Sequence, residues 1–159
     1  MPPLLTDDVL DYIQRSVLCW LATADADGVP NVSPKEVFCA FGRDRVLVAH
    51  IASPGSVRNI LANPNVCLSF VEVFVQRGLQ AARVAEIVTP TAQRYAEWLA
   101  PLTQITQGAF PIPGIIAITV TAVEPIMAPS YRLIPGTTEA SQVASALNTY
   151  GVIAKPTDA

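Results

Sequence analysis

The densest chemistry in the chain lies in seven residues, Ser53-Pro54-Gly55-Ser56-Val57-Arg58-Asn59. They leave an apolar strand, turn, and open a short helix. A helix start presents unpaired backbone N–H groups and a partial positive charge. Around it stand two hydroxyls, a glycine that permits close approach, an arginine and an amide. That set suits an anion, and a phosphate best of all. The same residues also suit an ordinary N-cap between a strand and a helix. The stretch by itself fits both readings.

A second pattern lies upstream. Val29 to Phe41 reads as one strand whose first half alternates. Asn31, Ser33 and Lys35 fall on one side, Val32 and Pro34 on the other. The polar side faces either solvent or a ligand. Pro30 and Pro34 place this strand at an edge, a bulge or a crossing point.

Other chemistries find little support. The chain has no G-x-x-x-x-G-K-[ST] loop, no G-x-G-x-x-G fingerprint and no H-E-x-x-H. His50 is the only histidine, so any Ser–His–acid triad would need it. It sits in an apolar strand and reads as a structural or ligand-packing residue. Glu36, Glu72, Glu86 and Glu124 are scattered without visible pairing. Cys19, Cys39 and Cys67 form no C-x-x-C pair and lie in apolar runs, as buried thiols of a reducing, cytoplasmic compartment do. With these cysteines and one histidine, no zinc site is expected. Redox chemistry, if present, must come from a cofactor.

The elements that position these residues follow from periodicity. Thr6-Asp7-Asp8 starts a helix over about residues 7–16, with Val9, Leu10, Ile13 and Val17 on one face. Leu18 to Ala24 is a strand, and Asp25-Ala26-Asp27-Gly28 turns it into a hairpin. Val46 to Ile51 is a strand buried on both sides, and the helix after it ends at Asn63-Pro64. Asn65 to Val75 and Leu79 to Val88 form a second hairpin around Gln76-Arg77-Gly78. Thr89-Pro90-Thr91 is expected to cap another helix, followed by a loop over 103–113 and a strand over 114–123. A last helix runs from about Thr137 to Tyr150, capped by Gly151. The result is mainly β with peripheral helices: a six-stranded antiparallel sheet, which closure into a barrel would relieve of exposed edges.

Length and composition set the outer limits. A chain of 159 residues without an internal linker is expected to be a single domain, 1–159. A net charge of −3 and a pI near 5.0 argue against nucleic acid, whose binders carry a basic face. Only 14% of residues are charged, against roughly 25% in typical soluble domains. So few charges point to covered surface, most simply in a homodimer. Trp98 to Val123 is free of charge, but Pro101, Pro111 and Pro113 interrupt it, so it does not read as a membrane span. Met1 to Asp8 lacks the basic start and apolar core of a signal peptide.

Together these stretches resemble a known family. Leu21 to Lys35 resembles the first hairpin of the pyridoxamine 5′-phosphate oxidase-related flavin-binding split-barrel family. Ser53 to Ile60, then Asn63-Pro64-Asn65-Val66, resembles its strand–helix unit, and Phe74 to Gln80 its next hairpin. Ala128-Pro129-Ser130-Tyr131 and Thr138 to Gly151 look like the tail of a short flavin-nucleotide-binding subgroup. The resemblance implies a six-stranded split β-barrel, a homodimer, and FMN in two clefts between the subunits. By position, Val32, Ser33, Pro34 and Lys35 would line the isoalloxazine ring. Ser53, Ser56, Arg58 and Asn59 would surround the phosphate and ribityl end. Lys35 has a further expected role, steadying negative charge near flavin N1, against the alternative of a structural salt bridge. The implied partners are a small-molecule electron donor or acceptor. A non-catalytic electron carrier, or the same barrel holding a deazaflavin or haem, are the alternatives.

Two departures stand out. Where family members carry Lys-Gly after the second hairpin turn, this chain has Ala82-Arg83, and Arg83 is expected to fill space near a ligand. The full oxidase's C-terminal Arg-x-His unit has no counterpart, since no histidine follows His50. That argues against oxidation of pyridoxamine phosphate itself.

Overall fold

The computed structural model describes residues 4–155, with the side chains of Ala82 and Arg83 left aside. Helix α1 (Asp7–Arg15) leads into β1 (Cys19–Ala24), β2 (Pro30–Lys35), β3 (Phe38–Phe41) and β4 (Arg45–His50). Helix α2 (Pro54–Ala62) precedes β5 (Asn65–Glu72) and β6 (Arg77–Val88). Helix α3 (Tyr95–Thr106), β7 (Gly114–Met127), α4 (Ser130–Leu133) and α5 (Glu139–Tyr150) complete the chain. Every strand pairing is antiparallel, in the order β2-β1-β5-β6-β7-β4-β3.

The sheet has seven strands, where the sequence reading expects six. The stretch read as one strand over Val29 to Phe41 is two, broken at Glu36-Val37. These two strands are the opposite edges of the sheet. Laid flat, seven strands would hold their outer members roughly 29 Å apart. The link from Lys35 to Phe38 reaches only about 10 Å. The sheet must therefore roll up until its edges meet at this corner, although β2 and β3 do not pair. That is a barrel left split between two edges, and the prolines of β2 sit at such an edge, where no ladder bond is lost.

The inside of the roll is the main core. Leu21, Phe38, Val46, Val48, Leu68, Phe70, Ile116 and Ile118 pack there with Ile13 of α1 and Ile60 of α2. A second core lies outside β4 and β7, where Trp98 and Leu102 of α3 cover Leu47, Ala49, Ile115 and Ala117. This is why Val46 to Ala49 is apolar without alternation: β4 is buried on both faces. At Gly78 a Cβ would lie 2.0 Å from the Phe70 carbonyl oxygen, so the start of β6 admits only glycine.

Several boundaries differ from expectation, among them the β5–β6 turn, which lies at residues 73–76 and not around Gln76-Arg77-Gly78, since β5 ends at Glu72 and β6 starts at Arg77. Helix α3 starts at Tyr95, not after Thr89-Pro90-Thr91, and runs on to Thr106 through Pro101. Burial of Trp98, Leu102 and Thr106 against the sheet outweighs the ring's interruption of the helix. Strand β7 extends to Met127 because β6 gives it a partner along its whole length, across a bulge at Ala82/Arg83. The tail then clasps the β5–β6 hairpin. Tyr131 donates to the Val75 carbonyl at 2.6 Å, and Arg77 meets Glu139 at 2.6 Å while stacking on Tyr131. Helix α5 carries its expected cap, Gly151 in left-handed geometry, and starts with a Thr138–Ser141 capping box. Among the described residues, no helix is long and apolar enough to cross a membrane.

Candidate functional site

The corner between β2 and α2 gathers the polar residues singled out by sequence. Register decides which way they face. Cys19, Leu21 and Thr23 of β1 are buried, and they lie opposite Lys35, Ser33 and Asn31. Directly opposed residues share a face. So the polar side of β2 turns inward, and Val32 and Pro34 turn outward beside Trp20. Trp20 is 43% exposed and Val32 58%. The strand wears its polar residues inside and its apolar residues outside.

Helix α2 closes over the inward face. Pro54 at its first turn and Asn63-Pro64 beyond its end set its limits. Ser56 and Asn59 lie on the side that also carries buried Ile60. The Ser56 hydroxyl is 3.1 Å from that of Ser33 and 3.4 Å from Asn31 Nδ2. Asn59 Nδ2 donates to Thr23 Oγ1 at 3.1 Å, and Asn31 Nδ2 donates to the same oxygen at 3.3 Å. Thr23, Asn31, Ser33, Ser56 and Asn59 thus form one internal polar seam. Of the residues grouped around a phosphate by sequence, Ser56 and Asn59 spend their side chains here.

Lys35 stands apart from the seam. It is only 6% exposed and has no carboxylate partner among the described residues; its ammonium donates to the Ser53 hydroxyl. The expected alternative of a structural salt bridge does not occur among those residues. Burial pulls the Lys35 pKa below its ordinary value. Burial, then the nearby Lys35 charge, also lowers His50, whose Nδ1 is buried without a partner. Burial pushes the Cys19 thiol up to about 12, so it stays protonated.

Ser53 does not act as a side-chain cap for α2. The Gly55 and Ser56 N–H groups of the first turn consequently have no partner among the described residues. Arg58 lies on the other side of the helix, toward Pro54 and Gly55, exposed and without an ion pair among those residues. The space over Gly55 is open, with nothing within 4 Å of a Cβ built there.

A cavity of about 300 Å³ adjoins Lys35 and the start of α2. Pro34, Lys35 and Ser53 line it, with Ala49, Ile51 and Phe110. Phe110 was not legible as a site residue: it lies in the Gln107–Pro113 segment, read only as loop. Its one signal is an isolated aromatic between glycine and proline. Thr23, the hub of the seam, gave no signal beyond a polar residue inside an apolar strand. The Arg83 side chain, expected near a ligand, lies outside the described residues. Among the described residues, no cluster of three or more His, Cys, Asp or Glu could hold a metal ion.

Comparison with known proteins follows the same lines. The model of the family described as pyridoxamine 5′-phosphate oxidase matches residues 5–134. No curated protein matches the chain. Among solved structures, HupZ of Group A Streptococcus is 24% identical, with a TM-score of 0.66 over 77% of this chain and 94% of that one. An FMN-binding protein from Syntrophomonas wolfei subsp. wolfei is 12% identical, with a TM-score of 0.59 over 74% and 88%. An F420 reductase is 25% identical, with a TM-score of 0.56 over 72% and 94%. Helix α5 lies beyond the matched residues. From α1 through α4, the rolled antiparallel sheet with α2 closing its β2 edge is the part that the family model spans, and the chain belongs to the pyridoxamine 5′-phosphate oxidase family.

Proposed function

We propose that this protein binds FMN beside Lys35 and the start of α2, and works as a flavin-dependent oxidoreductase on a small-molecule electron donor or acceptor. The carrying observation is Lys35: a buried ammonium whose partner is a single hydroxyl, at the wall of a cavity. A buried cation is costly until an anionic or electron-rich group completes it. Bound flavin supplies two-electron chemistry that the side chains of this chain do not. Lys35 orients the ligand's electron-rich edge and offsets negative charge there. Ile51 and Phe110 exclude water from the apolar part of the cavity.

The phosphate has a better seat on the outer face of α2 than on the inner one. Ser56 and Asn59 already bond within the seam. Gly55 offers open space and an N–H, and Arg58 a guanidinium along the same side, both without partners among the described residues. A phosphate held there receives a charge-assisted bond and the helix dipole together. The outward Trp20, Val32 and Pro34 form an apolar edge that a second copy of the chain would cover, which supports a homodimer with the cofactor near the join.

Identification of the released cofactor by mass and absorbance tests the reading directly. FMN titrated into apoprotein should bind saturably, and Arg58→Ala should weaken it by about tenfold without moving the unfolding midpoint. A colourless protein that ignores added FMN overturns the proposal. Release of a deazaflavin would keep the site and change the cofactor. A Soret band lost in His50→Ala would replace flavin with haem.

A further inference from the structure

A cavity lies beside the split in the barrel, on its β3 side. Along the free edge of β3 runs a groove of about 720 Å³. Leu10, Ile13 and Gln14 of α1 form one wall, and Pro101, Gln104 and Ile105 of α3 the other. Phe38, Cys39 and Ala40 form its floor, and Glu36 its end. Its volume falls in the range of small-molecule sites.

Three features define what fits. The walls come from two helices and combine apolar Leu10, Ile13, Pro101 and Ile105 with the amides of Gln14 and Gln104, so they suit the faces of a flat ring that carries polar groups. The floor is a strand edge with free backbone groups. Ala49 N–H donates to the Val37 carbonyl, and strict alternation from there points the N–H and C=O of Phe38 and Ala40 away from β4, into the split. The only charge lining the groove is Glu36, which has no ion-pair partner among the described residues. Burial holds the Cys39 thiol up at about 11, so it adds no second charge.

We propose that this groove binds a planar aromatic cation, with its faces between α1 and α3, its ring edge on Phe38 and Ala40, and its positive group on Glu36. Glu36 also lines the smaller cavity beside Lys35. Glu36 sits in the β2–β3 link, so an occupant of the groove would contact the same residue that borders the space beside Lys35. The binding site stands by itself. Its use as the pocket for the electron donor or acceptor rests on the flavin reading.

Benzamidine serves as the probe and neutral benzamide as its isostere, each titrated into isotope-labelled protein with and without FMN. Benzamidine should shift the amide signals of Phe38, Ala40 and Ile105 saturably, and bind roughly three- to tenfold more tightly than benzamide. Glu36→Gln should remove that preference. Ile105→Arg, at a position 47% exposed and therefore tolerant, should block both probes. Equal binding of the two probes, shifts confined to other surfaces, or no binding overturns the proposal. Groove binding in a protein that takes no FMN keeps the site and sinks only its redox role. FMN binding with an unresponsive groove does the reverse.

Discussion

On the inner face of α2, Ser56 and Asn59 are bonded to Ser33, Asn31 and Thr23. On its outer face, Gly55 meets open space and Arg58 has no ion-pair partner among the described residues. Both faces are polar, and both lie beside the same helix start. The inner one packs against the sheet, where these side chains bond to one another. The outer one, with Lys35 and Ser53 at the adjoining cavity, keeps donors that the fold does not use. Unspent hydrogen-bonding capacity, and not polarity alone, separates the two sides of this helix and is the ground on which the outer one is proposed as the phosphate seat.

Substitutions on the two sides should therefore separate stability from ligand affinity. The largest expected effect comes from Lys35→Met. FMN affinity should fall about tenfold to a hundredfold, the worth of a charge-assisted bond. The thermal midpoint should hold or rise, because an incompletely paired ammonium gives way to an apolar chain of similar length. Unchanged affinity in fluorescence-quenching titrations would erase the distinction between the cavity side and the seam.

Ser56→Ala probes the seam side. It should cost about 1 kcal/mol of stability by removing contacts to Ser33 and Asn31, with the FMN dissociation constant unaltered. Denaturant unfolding alongside the same titration separates the two. Loss of affinity at full stability would move Ser56 to the ligand side.

The smallest effect is a pH dependence. His50 titrates below its ordinary 6.5 in the fold, so the unfolded chain takes up a proton first. Stability should fall as the pH drops from about 7.5 to about 5.5, through 6.5 toward the folded value. His50→Asn should flatten that part of the unfolding profile. An unaltered profile would show that the orphaned imidazole does not govern this range.

Much of the site was visible in the chain because it is local. Pro54 after Ser53 and Pro64 after Asn63 bracket α2 whatever surrounds it. The alternation of Asn31, Ser33 and Lys35 with Val32 and Pro34 is likewise a property of one strand. What neither pattern carries is a direction. An alternating strand has two faces, and register with β1 decides which is inside. Here it placed the polar residues inward, so Ser33 joined Ser56 in a structural seam while Val32 was left exposed. A helix start likewise does not say which flank is free. Phe110 escaped notice because a loop residue has no period to betray its neighbours.

The division of Val29 to Phe41 into two strands and the short helix α4 aside, the sequence by itself determined most of the elements in their order, the family, and the stretches from which the site is built. Those rest on hydrophobic spacing, turn residues and caps, each set within a few positions of the chain. Tertiary structure decided how those stretches are used. Rolling the sheet divided one apparent strand into two edges and opened the groove between α1 and α3. It buried Lys35 without a countercharge among the described residues and parted Ser56 from Arg58. These outcomes depend on contacts between residues distant in the chain, such as Thr23 with Asn59 at 3.1 Å. No local pattern encodes them, because the same strand and helix would form under either arrangement.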